Sequence, residues 1–167
     1  VYQGTAAAKR IFSVLDEPIE TKNDLTLSNL EIEKCSIKFD NVSFNYSNTD
    51  KKAIKNINFD IGGGTMTAFV GQSGAGKSTI ISLIPRFYEP QKGKIYIDNQ
   101  NIHKVNLESL RKNISLVSQD VVLFDNTVRA NIAYANGDAS EKEIIEACEF
   151  AAATEFINKL PKGYETS

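Results

Sequence analysis

The sequence predicts an α/β fold, and three observations lead there. Strands with alternating apolar residues fill much of the first half, a nearly continuous apolar run from Met66 to Val70 leads into the glycine-rich stretch Gly71 to Gly76, and the last third has helical spacing. Length and composition agree with one globular unit. The chain has 167 residues, 41% of them hydrophobic and 24% charged, which is enough to build a core without disulfide or metal staples.

Taken in order, Thr5 to Leu15 reads as a short amphipathic helix, with Ile11, Phe12 and Leu15 on one side and Pro18 ending it. The polar stretch that follows, about 20–35, reads as a linker, so the folded domain is expected to start near Ser36. Ile37 and Phe39 then alternate with polar residues. The pair Asp40-Asn41 interrupts, and Val42, Phe44 and Tyr46 resume on the other parity, which gives strand, bulge or turn, strand. A loop is expected at 47–52. Ile57, Phe59 and Ile61 form a half-buried strand ending at Gly62-Gly63-Gly64, and an antiparallel sheet is the natural outcome.

Met66 to Val70 has the pattern of a strand buried on both faces. A helix should follow the glycines, with Ile80, Ile81, Leu83 and Ile84 on its apolar side and Pro85 kinking its last turns. Further expectations are a strand at Ile95 to Ile97, a helix at Leu107 to Lys112 capped by Asn106, and a buried strand at Ile114 to Val117. Helices follow at Thr127 to Tyr134, at Ser140 to Ala153 opened by the capping box Ser140-x-x-Glu143, and at Thr154 to Leu160. The chain begins at Val1 without a start methionine and stops just after a Pro161-Lys162-Gly163 turn, so it reads as a piece of a longer polypeptide.

Charge and cysteine usage remove several function classes. A net charge of −2, from 19 Lys+Arg against 21 Asp+Glu, offers no general attraction for a polyanion, so nucleic acid is not an expected partner. Cys35 and Cys148 lie far apart beside a single histidine, His103, which leaves neither a disulfide framework nor a zinc site. No apolar stretch approaches the roughly 18 residues of a membrane span.

The strongest chemical signal is Gly71-Gln72-Ser73-Gly74-Ala75-Gly76-Lys77-Ser78, which fits G-x-x-x-x-G-K-[ST] between a strand pattern and a helix pattern. Glycines let backbone N–H groups close around phosphate oxygens, and the helix start beyond them favours the same anion. Lys77 adds a full positive charge for the β- and γ-phosphates, and the Ser78 hydroxyl is placed to ligate Mg²⁺. The bland alternative is a turn whose lysine points to solvent. Two segments resemble the strand-end Asp that orders a Mg²⁺ shell, Val121-Val122-Leu123-Phe124-Asp125 and Ile95-Tyr96-Ile97-Asp98. Neither is followed by a Glu, and both Asp125 and Asp98 read as turn-ending residues.

The ordered set of Tyr46, Gly71 to Thr79, Arg86-Phe87-Tyr88-Glu89-Pro90 with Gly93 and Ile97-Asp98, and Leu116-Val117-Ser118-Gln119-Asp120 resembles the nucleotide-binding domain of an ABC transporter. More narrowly it resembles exporters with the membrane and ATPase parts on one chain. Leu123-Phe124-Asp125-Asn126-Thr127-Val128 and Asn131-Ile132-Ala133-Tyr134 are similar to bacterial lipid exporters. The resemblance implies a partial P-loop NTPase core with an N-terminal antiparallel β subdomain and a C-terminal helical subdomain. It implies a membrane-domain helix end and linker at 1–19, linker at 20–35, β subdomain and phosphate-loop core at 36–118, and Q-loop and helical subdomain at 119–167.

It further implies ATP with Mg²⁺ held by Gly71, Gln72, Ser73, Gly74, Ala75, Gly76, Lys77, Ser78 and Thr79. Tyr46 would stack on adenine, with a core tyrosine as the alternative. Gln119 would be the Q-loop glutamine that reaches Mg²⁺ and the attacking water, with a solvated turn residue as the alternative. Implied partners are a second nucleotide-binding domain, in a homodimer, and the coupling helices of the membrane domain, faced by 120–134. The implied place is the cytoplasmic face of the cell inner membrane. The family's signature, its strand-end Asp with catalytic Glu, and its switch histidine are expected beyond Gly163-Tyr164-Glu165, so this chain is expected to bind ATP without turning it over. His103 does not match the switch histidine and reads as a surface turn residue. The alternative function is a P-loop small-molecule or nucleotide kinase, but the helical third holds just Arg129 to close over phosphates. A GTPase lacks its Asn-Lys-x-Asp segment here, and a regulatory nucleotide-binding module is the third possibility.

Overall fold

The computed structural model describes residues 2–17, 19–20, 26–46 and 53–167, and the chain divides into two compact units, 1–116 and 117–167. The expected helix stop at Pro18 and the expected loop at 47–52 lie outside the described residues. In the first unit, helix α1 spans Tyr2–Leu15. Its residues Ile11, Phe12, Val14 and Leu15 are exposed, so the apolar face is formed but uncovered.

Strands β1 (Ile37–Phe44), β2 (Ile54–Ile61), β3 (Lys92–Ile97) and β4 (Gln100–Asn101) make one antiparallel sheet in the order β2-β1-β3-β4. Asp40-Asn41 forms a bulge within β1. The register slips there against both neighbours, Asn41 takes φ 50°, and Val42 and Phe44 return to the core on the opposite parity from Ile37. Gly93 of β3 faces the bulge at φ 85°, where a Cβ would lie 2.4 Å from the Asn41 carbonyl oxygen. Only glycine fits that crossing.

Asp98 and Asn99, at φ 46° and 63°, turn β3 into β4 with the pair of left-handed residues that a two-residue type I′ turn needs. The Asp98 carboxylate accepts N–H bonds from Glu33, Lys34 and Cys35 at Oδ2 (2.8, 3.0 and 3.0 Å) and from Ser36 at Oδ1 (2.8 Å). These donors, Ser36 first, hold its pKa well below the ordinary carboxylate range. The turn reading of Asp98 thereby acquires a purpose. The stretch ahead of Ser36, read from composition as connecting chain, is fastened by these bonds, by Leu30 N–H to Ser109 Oγ (2.9 Å), and by the buried Leu30 side chain.

Helices α2 (Lys77–Leu83) and α3 (Leu107–Lys112) complete the first unit. Leu83, Leu107 and Leu110 join Phe39, Val42, Ile95 and Ile102 in its core. Asn106 caps α3 by accepting the Ser109 N–H at 2.9 Å. In the second unit, α4 (Val128–Ile132), α5 (Glu141–Phe150) and α6 (Thr154–Asn158) pack around Ile144, Cys148 and Ile157. Both arms of the Ser140–Glu143 capping box form. Each of these three helices is shorter than its sequence pattern, because the fraying last turn, and in α4 and α5 also the capping residue, fall outside the regular part.

Three expectations are corrected. Residues 66–70 and 114–117 form no strand: Met66 and Val70 are almost fully exposed, as is Val117, and the residues that pack against the core are Phe69, 5.5 Å from the Phe59 ring, and Ile114. A buried strand needs hydrogen-bonded neighbours, and no described strand pairs with either segment. Pro85 does not kink α2 but lies beyond its end, since Arg86 N–H bonds Leu83 C=O and Phe87 N–H bonds Ser82 C=O around Arg86 at φ 56°. That is the Schellman closure, made with arginine in place of the usual glycine.

Candidate functional site

The segment 71–76 turns and then opens α2 at Lys77. Gly74 and Gly76 take φ 79° and 88°, the left-handed conformation that closes the loop. Gly76 is also the cap of α2, and a Cβ on it would lie 2.8 Å from the Ala53 carbonyl oxygen. The loop is drawn tight by Ala75 N–H to Gln72 C=O (3.2 Å) and Ile80 N–H to Gly76 C=O (3.0 Å). The Lys77 ammonium curls back over it, donating to the carbonyls of Gly71 and Gln72, both at 2.8 Å. A cavity of about 290 Å³ is bounded by Tyr46, Ala53 and residues 73–79.

Tyr46, just past the end of β1, stands at the rim of this cavity with 38% of its surface exposed, which is not the packing of a core tyrosine. Its hydroxyl lies 3.0 Å from Thr79 Oγ1, and its ring meets Phe44 and Tyr88 edge-on at 4.9 and 5.2 Å. Thr79 is buried and Ser78 is exposed. Ala53 is the cavity-lining residue that sequence reasoning did not single out, since a lone alanine gives no signal.

Gln119 belongs to the second unit, on an exposed bend. Asp125 is exposed nearby in irregular chain. Arg129 is committed to Glu165 (2.6 Å) and Glu141 (3.1 Å), with its guanidinium 5.9 Å from the Tyr164 ring centre. His103 is not a surface residue: it sits half-buried in the turn Ile102–Lys104, its Nδ1 3.7 Å from the Glu89 carboxylate, and burial pushes its pKa down.

A glycine loop closed by left-handed residues, opening a helix under a lysine, is the arrangement of a phosphate-loop NTPase, present here in part. The family model described as ABC transporter matches residues 54–166, and the chain belongs to the ABC transporter family. It is 47% identical over 164 residues to an ATP-dependent lipid A-core flippase of Chromobacterium violaceum, covering 98% of this chain and 28% of that protein. A flippase of the same name from Legionella pneumophila is 46% identical over 166 residues, covering 99% and 28%. Among solved structures, a bacterial Atm1-family ABC exporter with ATP bound superposes with a TM-score of 0.87 at 41% identity, over 99% of this chain and 29% of that one. The chain thus spans less than a third of the length of these relatives. No described helix is long and apolar enough to cross a membrane.

Proposed function

We propose that this chain is the ATP-binding part of an ABC exporter that powers export of lipid or other hydrophobic compounds by binding and hydrolysing ATP in its full-length form. The observation that carries the reading is the phosphate loop itself, with left-handed Gly74 and Gly76 beneath the Lys77 ammonium and a cavity beside it. The cradle fits a triphosphate: the Gly76 position has no room for a side chain, and a glycine loop of this kind turns backbone N–H groups toward an anion.

In this reading, residues 71–79 hold the phosphates and Lys77 exchanges its loop carbonyls for phosphate oxygens. Ser78 and Gln119 hold Mg²⁺, which when bound neutralises charge on the β- and γ-phosphates. Tyr46 offers its ring to adenine at the cavity rim. Gln119 is the polar link between the γ-phosphate and the helical subdomain, and 120–134 faces the coupling helices of the membrane domain. Residues 1–19 follow the last membrane helix, 20–35 link it to the domain, and 36–118 and 119–167 are the two parts of the ATP-binding domain. Two such domains form a homodimer on the cytoplasmic face of the inner membrane. By itself the chain binds ATP without turnover, because positioning and charge stabilisation at the γ-phosphate stay incomplete. The kinase reading has no support: Arg129, the arginine it would need, is held by two carboxylates.

Calorimetric titration with ATP and Mg²⁺ tests this. The expected result is saturable heat that is lost in Lys77→Ala and weakened by about 1–3 kcal/mol in Tyr46→Ala. Unchanged heats in Lys77→Ala would refute the site.

A further inference from the structure

We propose that Arg111 is a positioning residue that docks the chain arriving at Glu20 onto the far end of the phosphate-loop helix, so that a displacement at either end is felt at the other. The inference rests on the nucleotide-binding reading above and assigns it a mechanical link.

The last turn of α3 presents Arg111, and Leu107 and Leu110 anchor that helix in the core. From this fixed base the guanidinium reaches in two directions. Nε donates to the Pro85 carbonyl at 2.9 Å and Nη2 to the Arg86 carbonyl at 3.1 Å, two acceptors in the turn that ends α2. Nη1 and Nη2 donate to the two carboxylate oxygens of Glu20, at 2.9 and 2.6 Å. The guanidinium carbon also stands 5.2 Å from the centre of the Phe87 ring. The Arg111 hydrogen bond holds the Glu20 carboxyl below its ordinary pKa.

The same turn is secured from its other side. Arg86 Nη1 donates to the carbonyls of Ile102 and Val105, both at 3.2 Å. The end of α2 is therefore a junction of two arginines, one tied to the body of the unit and one to the entering chain. Helix α2 has seven residues, about 10 Å at 1.5 Å per residue, with Leu83 fully buried. Lys77 and the phosphate loop stand at its other end, so a packed element joins Glu20's dock to that loop. An exposed ion pair adds little stability; what this one supplies is bidentate geometry, which lysine cannot reproduce. Reciprocity then requires that nucleotide at the loop bias the docked chain as much as the docked chain biases the loop.

The test uses the full-length protein in phosphatidylethanolamine–phosphatidylglycerol nanodiscs. Amide hydrogen exchange is followed with and without a non-hydrolysable ATP analogue and Mg²⁺. The expected result is an exchange change of at least threefold at 71–79 and at 12–20 in the unmodified protein. In Glu20→Gln and in Arg111→Lys the response at 71–79 persists, while that at 12–20 falls to less than a third. The double variant should add nothing to either single one at 12–20, and Glu20→Gln should melt within about 2 °C of the parent, as loss of an exposed pair predicts. A response at 12–20 that survives Glu20→Gln overturns the link, as does its absence in the unmodified protein when 71–79 responds. Silence at 71–79 refutes the nucleotide reading and the link falls with it.

Discussion

Two stretches of the first unit carry similarly apolar sequence and end differently. In the antiparallel sheet, Phe39, Val42, Phe44 and Ile95 are buried and each strand has a hydrogen-bonded neighbour. On either side of the phosphate loop, Met66, Val70 and Leu116 are exposed and the backbone pairs with no described strand. The difference is one of supply: a run of apolar residues states a need for cover, and only a partner strand at the right distance meets it.

Substitutions can break or sharpen that contrast. The largest effect is expected from Phe39→Ala, which removes a buried ring stacked 4.4 Å from Phe59 and should cost about 3–5 kcal/mol by urea unfolding. Gly93→Ala should cost about 2 kcal/mol or more, since it adds left-handed strain to a collision with the Asn41 carbonyl; a midpoint unchanged from the parent would show that the bulge yields. Acid should act next, on the sheet side through Asp98. The folded pKa of Asp98 lies below its unfolded value, so its contribution is complete above about pH 4 and is lost as pH falls below that. Amides at 33–36 should then lose exchange protection in acid, and Asp98→Asn should flatten the dependence of the urea midpoint below about pH 4. Smallest of all, Met66→Ala should change stability in this chain by less than about 0.5 kcal/mol; a core-sized loss would mean that residue 66 is covered after all.

What the sequence could convey follows the range of each interaction. The phosphate loop, the Asn106 and Ser140 caps and the bulge at Asp40-Asn41 are local, set by residues within a few positions, and all are present. Apolar periodicity located 66–70 and 114–117 as strand-like but said nothing of what lies beside them. Pro85 was visible as a breaker, although whether it kinks a helix or follows its end depends on Arg86 accepting a left-handed conformation. Contacts between distant positions left no local trace. Asp98 reaches residues 62–65 positions away, and Arg111 reaches Glu20 across 91. At the candidate site the loop was readable, whereas the Tyr46–Thr79 hydroxyl pair and the Ala53 wall required the fold.

The peptide at Lys34 gives the glycine turn at 62–64 a purpose that its sequence did not supply. In the Lys34–Cys35 peptide the Cys35 N–H is gripped by Asp98, while the Lys34 carbonyl oxygen occupies the space that a Cβ on Gly63 would enter, 1.4 Å away. One amide plane is thus wedged between a carboxylate and an absent side chain. Positions 63 and 98, though 35 apart in the chain, should therefore tolerate mutation only in concert, and damage at the two should combine non-additively.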